Sequence, residues 1–96
     1  MPVVVVVEGS SQQDYEDVVR RVTDGKKSRM ESPSDWPAAG LLSHAAGQAK
    51  GGFRVVDVWE SEEAFNRFGE ALQPVLQDLG LDVSMEVYPA HAFVSA

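Results

Sequence analysis

Residues 53–65 read Phe-Arg-Val-Val-Asp-Val-Trp-Glu-Ser-Glu-Glu-Ala-Phe, and the hydrophobic period changes inside them. Phe53, Val55, Asp57 and Trp59 alternate with Arg54, Val56, Val58 and Glu60, the two-residue repeat of a strand with one set on each face. After Ser61 the repeat lengthens. Phe65, Phe68, Leu72, Val75, Leu76 and Leu79 fall on one stripe of a helix. Ser61 is placed as its N-cap, and Glu62 and Glu63 put negative charge in the positive first turn. Pro74 interrupts the stripe and predicts a kink or a break. Gly80 ends it.

Working outward, Leu41 to Gln48 reads as a strand joined to Phe53–Glu60 around Ala49-Lys50-Gly51-Gly52, a hairpin signal. Val3 to Val7 are five consecutive β-branched residues, and an unbroken apolar run predicts a strand covered on both faces. Gly9-Ser10-Ser11 ends that strand. Ser10 is read as the N-cap of a helix with Gln13 closing a capping box, and Tyr15, Val18, Val19 and Val22 form its apolar stripe up to Asp24-Gly25. Lys26 to Ala39, with Ser32-Pro33-Ser34-Asp35-Trp36-Pro37 in it, is irregular and long for a connection, so it is either mobile or functional. Val83 to Val94 is the last strand, with Pro89 at a bulge or an edge. The order βαββαβ predicts one ferredoxin-like α+β domain over residues 1–96, a four-stranded antiparallel sheet with two helices on one face. The other face would expose valines, so a homodimer through that sheet face, closing a dimeric α/β barrel, is expected.

The chain has 96 residues, no cysteine, and a formal charge of −7 from 8 Lys+Arg against 15 Asp+Glu. A domain this small is marginal alone, which also favours self-association. Without cysteine there is no disulfide, thiolate metal site or thiol nucleophile. The acidic balance argues against nucleic acid and anionic membranes as partners. The opening Met1-Pro2-Val3 run lacks a basic leader and is too short for a membrane span, which predicts a cytoplasmic protein.

Val56-Asp57-Val58-Trp59-Glu60-Ser61-Glu62-Glu63-Ala64-Phe65 resembles the strand-to-helix junction of the dimeric α/β barrel superfamily, which includes antibiotic-biosynthesis-monooxygenase-like proteins, haem-degrading monooxygenases and polyketide cyclases. Gly40 to Gly47 and Gly51 to Asp57 also resemble small actinobacterial members, mostly of unassigned function. The resemblance covers residues 40–94 and implies the fold, with less bearing on chemistry, since one fold hosts many activities. Haem-degrading members carry an Asn on strand one and a His beyond the Trp. Here only Trp59 matches, so haem degradation is not expected.

Asp57 shares its face with Trp59, and a carboxylate between sheet and helices is costly unless paired, so it is either a satisfied structural acid or a tuned base. His44 and His91 lie on apolar strands. If His44 shares a cavity with Asp57, the pair suits general acid–base chemistry near neutral pH. Asp57 and His44 are therefore the candidate catalytic residues. Trp59, His91, Tyr88, Glu8, Trp36 and Phe65 are the candidate lining of a cleft, with Tyr15 and Trp36 as its roof. Each also has a plain reading as a core, capping or packing residue. No local spacing supports a metal site, even with Asp57 or Glu8 as a third ligand, and no cofactor motif is present. Two functions stay open: a cofactor-independent oxygenase, cyclase or isomerase acting on a small aromatic or polyketide-like molecule, and a non-catalytic ligand-binding or assembly module.

Overall fold

The computed structural model describes residues 1–36 and 38–95; Pro37, placed by sequence in the irregular stretch, and Ala96 lie outside the described residues. Strand β1 (Val3–Ser10) leads to helix α1 (Gln12–Val22), then to strands β2 (Leu41–Ala49) and β3 (Gly52–Trp59), helix α2 (Glu62–Leu79) and strand β4 (Ser84–Pro89). A single 3₁₀ turn, Pro33–Asp35, interrupts the long connection before β2. The strands form one antiparallel sheet in the order β2-β3-β1-β4. This is the expected ferredoxin-like α+β architecture.

Local chemistry sets the element ends. The N-cap of α1 is Ser11, one residue beyond the expected Ser10, and its box partner is Asp14 instead of Gln13. Ser11 Oγ accepts from the Asp14 N–H at 3.1 Å, and the Ser11 N–H donates to the Asp14 carboxylate at 3.0 Å. Ser10 stays in β1 because Gly9, at φ +93°, absorbs a register irregularity that lets the strand continue past Val7. Ser61 caps α2 as expected, accepting from the Ala64 N–H at 3.1 Å. Helix α2 runs unbroken through Pro74, where the sequence predicts a kink or a break; Pro74 and Glu70, whose carbonyl loses its donor, are both exposed. Gly80, at φ +69°, ends α2 in the left-handed conformation.

Strand β4 stops at Pro89, short of the expected Val94. Proline offers no N–H to continue the ladder, and only the Ala90 N–H, donating to the Pro2 carbonyl at 2.9 Å, extends it. His91 therefore falls outside the strand and is exposed.

Pairing fixes which residues face the helices. Val3, Val5 and Val7 lie opposite Trp59, Asp57 and Val55. These side chains and the inner faces of α1 and α2 build the core, with Val5, Val19, Trp59 and Ala64 almost fully enclosed. Val4, Val6, Val56 and Val58 face the other way. Val58 is buried, while Val4, Val6 and Val56 stay half-buried. The outer face of β1 is thus only partly covered by this chain, short of the two-sided burial its valine run predicts.

Candidate active site

A bulge in β2 sets up the site. Leu41 lies opposite Trp59, but Ser43 lies opposite the next residue, Val58, so Leu42 is the extra residue. Leu41 is buried at 8% exposure and Leu42 turns outward at 40%. The extra residue reverses the alternation and brings His44 opposite Asp57 on the helix-facing side. There His44 Nδ1 lies 2.6 Å from Asp57 Oδ1. Asp57 is 3% exposed, and the His44 side chain is 10% exposed.

The other imidazole nitrogen meets helix α1. Tyr15 Oη lies 2.8 Å from His44 Nε2, and the Met30 N–H donates to Tyr15 Oη at 3.2 Å. Since a carboxylate only accepts, the network assigns the proton to Nδ1, which donates to Asp57. In the neutral imidazole Nε2 then accepts from the Tyr15 hydroxyl. The three side chains form a relay from α1 through β2 to β3, with the carboxylate at its buried end. Burial is the main cause that raises the Tyr15 pKa above the usual 10.0; the Met30 N–H opposes it and the Asp57 charge adds to it. Tyr15 is therefore a neutral phenol at pH 7, able to pass a proton but not a standing phenolate.

Aromatic rings frame the relay. The Tyr15 ring stacks on His44 with centroids 5.7 Å apart, and Trp36 meets His44 edge-on at 5.6 Å. Trp36 also packs on Phe68 at 5.3 Å, and Phe68 stacks on Trp59 at 4.8 Å. Trp36 thus pins the 26–40 connection to the core. Within the connection itself, Lys27 and Asp35 form an ion pair at 3.0 Å. The Asp35 carboxylate also accepts from the Glu31 and Ser32 N–H groups, each at 2.9 Å. Chiefly the Glu31 N–H, and next Lys27, lower the Asp35 pKa; the Asp35 side chain raises that of Lys27.

Between the sheet and the helices lies an apolar cavity of ≈ 60 Å³, walled by Val5, Val18, Val55, Phe65, Phe68 and Leu72, with Tyr15, Trp36 and Asp57 at the relay end. Leu81, Val83 and Met85 line its other side. A wider groove on the outer side is lined by Tyr15, Met30, His44 and Phe53. The relay is thus reached from both spaces.

Of the residues singled out in the sequence, Asp57, His44, Trp36 and Phe65 come together here. Four do not. Trp59 is fully enclosed against Phe68 and is absent from the cavity wall. Glu8 and Tyr88 lie on the opposite face of the sheet from Val5 and Asp57, because their positions are out of phase with the inward residues of β1 and β4. Glu8 pairs there with Arg54 at 2.9 Å. His91 is removed by the early end of β4. Tyr15 is the participant that the sequence marks only as a core or roof residue. Its signal was that a tyrosine on an apolar stripe carries a hydroxyl in need of a partner. Among the described residues, no three His, Asp or Glu side chains are grouped to hold a metal ion, and no helix is long and apolar enough to cross a membrane.

The fold is that of antibiotic-biosynthesis-monooxygenase-like structures. It matches SnoaB, a cofactor-independent oxygenase from Streptomyces nogalater solved in mutant form, with a TM-score of 0.61 and 16% identity over 99% of this chain and 98% of that one. A putative antibiotic biosynthesis monooxygenase from Deinococcus radiodurans gives a TM-score of 0.56 and 12% identity over 100% of this chain and 98% of that one. The ActVA-Orf6 monooxygenase of Streptomyces coelicolor, solved with nanaomycin D, gives 0.52 and 19% identity over 99% of this chain and 91% of that one. At these identities the likeness establishes the fold. No protein-family profile and no curated protein sequence matches the chain.

Proposed function

We propose that this protein is a cofactor-independent monooxygenase acting on a small aromatic or polyketide-like metabolite, working in the cytoplasm as a homodimer. The observation that carries the reading is the Tyr15–His44–Asp57 relay at the wall of an apolar cavity. The fold shared with oxygenases supports it as an analogy. A methylene held between two aromatic rings and conjugated through them with a ketone, as in an anthrone, is acidic. Tyr15 takes its proton while passing its own to His44 Nε2, and Asp57 stabilises the imidazolium formed. The carbanion gives one electron to dioxygen, and the two radicals join in a carbon–peroxide bond. The relay returns the proton to make the hydroperoxide. Loss of the remaining hydrogen on that carbon with cleavage of the O–O bond yields a ketone and water, so CH₂ plus O₂ becomes C=O plus H₂O.

The cavity is smaller than the roughly 150 Å³ that accommodates benzene in a protein interior. An aromatic substrate therefore needs the wall to part. Edge strand β4 is the place for that, since all six of its residues are exposed. The second copy is assigned to the open sheet face, where Val4, Val6 and Val56 remain half-buried.

The test is oxygen uptake by the metal-free, flavin-free protein with a panel of hydroxylated naphthalenes and anthrones. Uptake with ketone formation that His44→Gln abolishes supports the reading; no uptake across the panel overturns it. The small cavity, and the hydrogen bonds that already engage both nitrogens of His44, favour a second reading, a non-catalytic binding module, which predicts binding of the same compounds without oxygen uptake.

A further inference from the structure

We propose that the indole N–H of Trp36 is the hydrogen-bond donor for a carbonyl or phenolic oxygen of the bound ligand. This rests on the reading that the cavity takes an aromatic metabolite, and it adds which part of that metabolite is recognised. Most polar groups on the cavity wall already have protein partners. Asp14 is committed to the cap of α1. Asp57 accepts from His44, and the Tyr15 hydroxyl is held between His44 and the Met30 N–H. Ser10 is half-buried at the end of β1. Trp36 remains: it is 8% exposed, it lines the cavity, and its Nε1 is closed to solvent without a hydrogen-bond partner among the described residues.

A buried donor left unpaired costs free energy, which a ligand acceptor would recover. Trp59 also has an unpaired indole N–H, but it does not reach the cavity wall, so packing alone accounts for its position. Trp36 is placed for the chemistry as well. Its ring meets His44 edge-on at 5.6 Å, and Trp36 lines the same cavity as Tyr15 and Asp57. Removing a proton beside an aryl ketone moves negative charge onto the ketone oxygen. In the resting relay every proton is already directed at a protein acceptor, so a separate donor is required for that oxygen. Trp36 thereby selects aromatic ketones, quinones and phenols over hydrocarbons of the same shape.

The test uses the full chain labelled with ¹⁵N-tryptophan, with the two indole signals assigned by Trp59→Phe, and the probes 1-tetralone and tetralin. The proposal expects the Trp36 indole proton to move downfield with the ketone and not with the hydrocarbon. It also expects 1-tetralone to bind roughly tenfold more tightly than tetralin, a preference that Trp36→Phe reduces to about one. If both probes shift cavity resonances such as those of Val5 and Val18 while the Trp36 indole ignores the ketone, the donor role is overturned and the aromatic pocket stands. If neither probe shifts any cavity resonance, the pocket reading falls and this proposal falls with it.

Discussion

Removing His44 while leaving Asp57 should damage the fold far more than removing both. The carboxylate is 3% exposed, and its side-chain partner is His44 Nδ1, 2.6 Å away. His44→Leu keeps the volume and strands the charge, a change that costs about 3–5 kcal/mol when a buried pair loses one member. Asp57→Val leaves an imidazole N–H unpaired, at about 1–3 kcal/mol. The double variant removes both polar groups. It leaves only the Tyr15 hydroxyl short of an acceptor, and that should cost about 1–2 kcal/mol. The coupling between the two sites is therefore about 2–7 kcal/mol. In a domain of this size each kcal/mol moves Tm by about 4–8 °C, so His44→Leu should melt at least about 12 °C below the wild type, with the double variant in between. Urea and thermal unfolding of the four proteins close the cycle. If the single costs sum to the double within about 0.5 kcal/mol, the two side chains are not coupled, and the relay as described does not exist.

Two further outcomes follow from the same geometry. The Tyr15 phenol is raised above 10.0 by burial, so in ultraviolet titration it should ionise after free tyrosine does. Because the folded state holds this proton more tightly than the unfolded state, its contribution to stability is complete below pH 10 and is lost as pH rises through the folded value; Tyr15→Phe should remove that alkaline loss. Gly40 sits at φ +107°, and a Cβ there would come within 2.7 Å of the Ala64 Cβ, so Gly40→Ala should cost about 2–4 kcal/mol, measured by urea unfolding.

The period change across residues 53–65 was enough to place β3 and α2, and the βαββαβ order followed from the breakers between the apolar runs. What escaped was set by single residues in the third dimension. Nothing local marks Leu42 instead of Leu41 as the bulge, yet that choice decides whether His44 faces Asp57 or faces away from it. Glu8 and Tyr88 lie on the other face because the register of β1 with β3 and β4, which a run of valines does not specify, sets which positions point inward. His91 falls outside the sheet because Pro89 ends β4, where the sequence predicts a bulge or an edge. Tyr15 was underread because its acceptor lies on another strand, 29 positions along the chain.

Proton abstraction can be isolated from oxygenation by mixing the protein anaerobically with anthrone, whose carbanion is a coloured phenolate. Wild-type protein should generate the anion band at neutral pH in an amount close to one per chain, and His44→Gln should generate none. An anion band of equal size in the variant, or none in the wild type with anthrone shown to be bound, would contradict the assignment of the Tyr15–His44–Asp57 relay as the base.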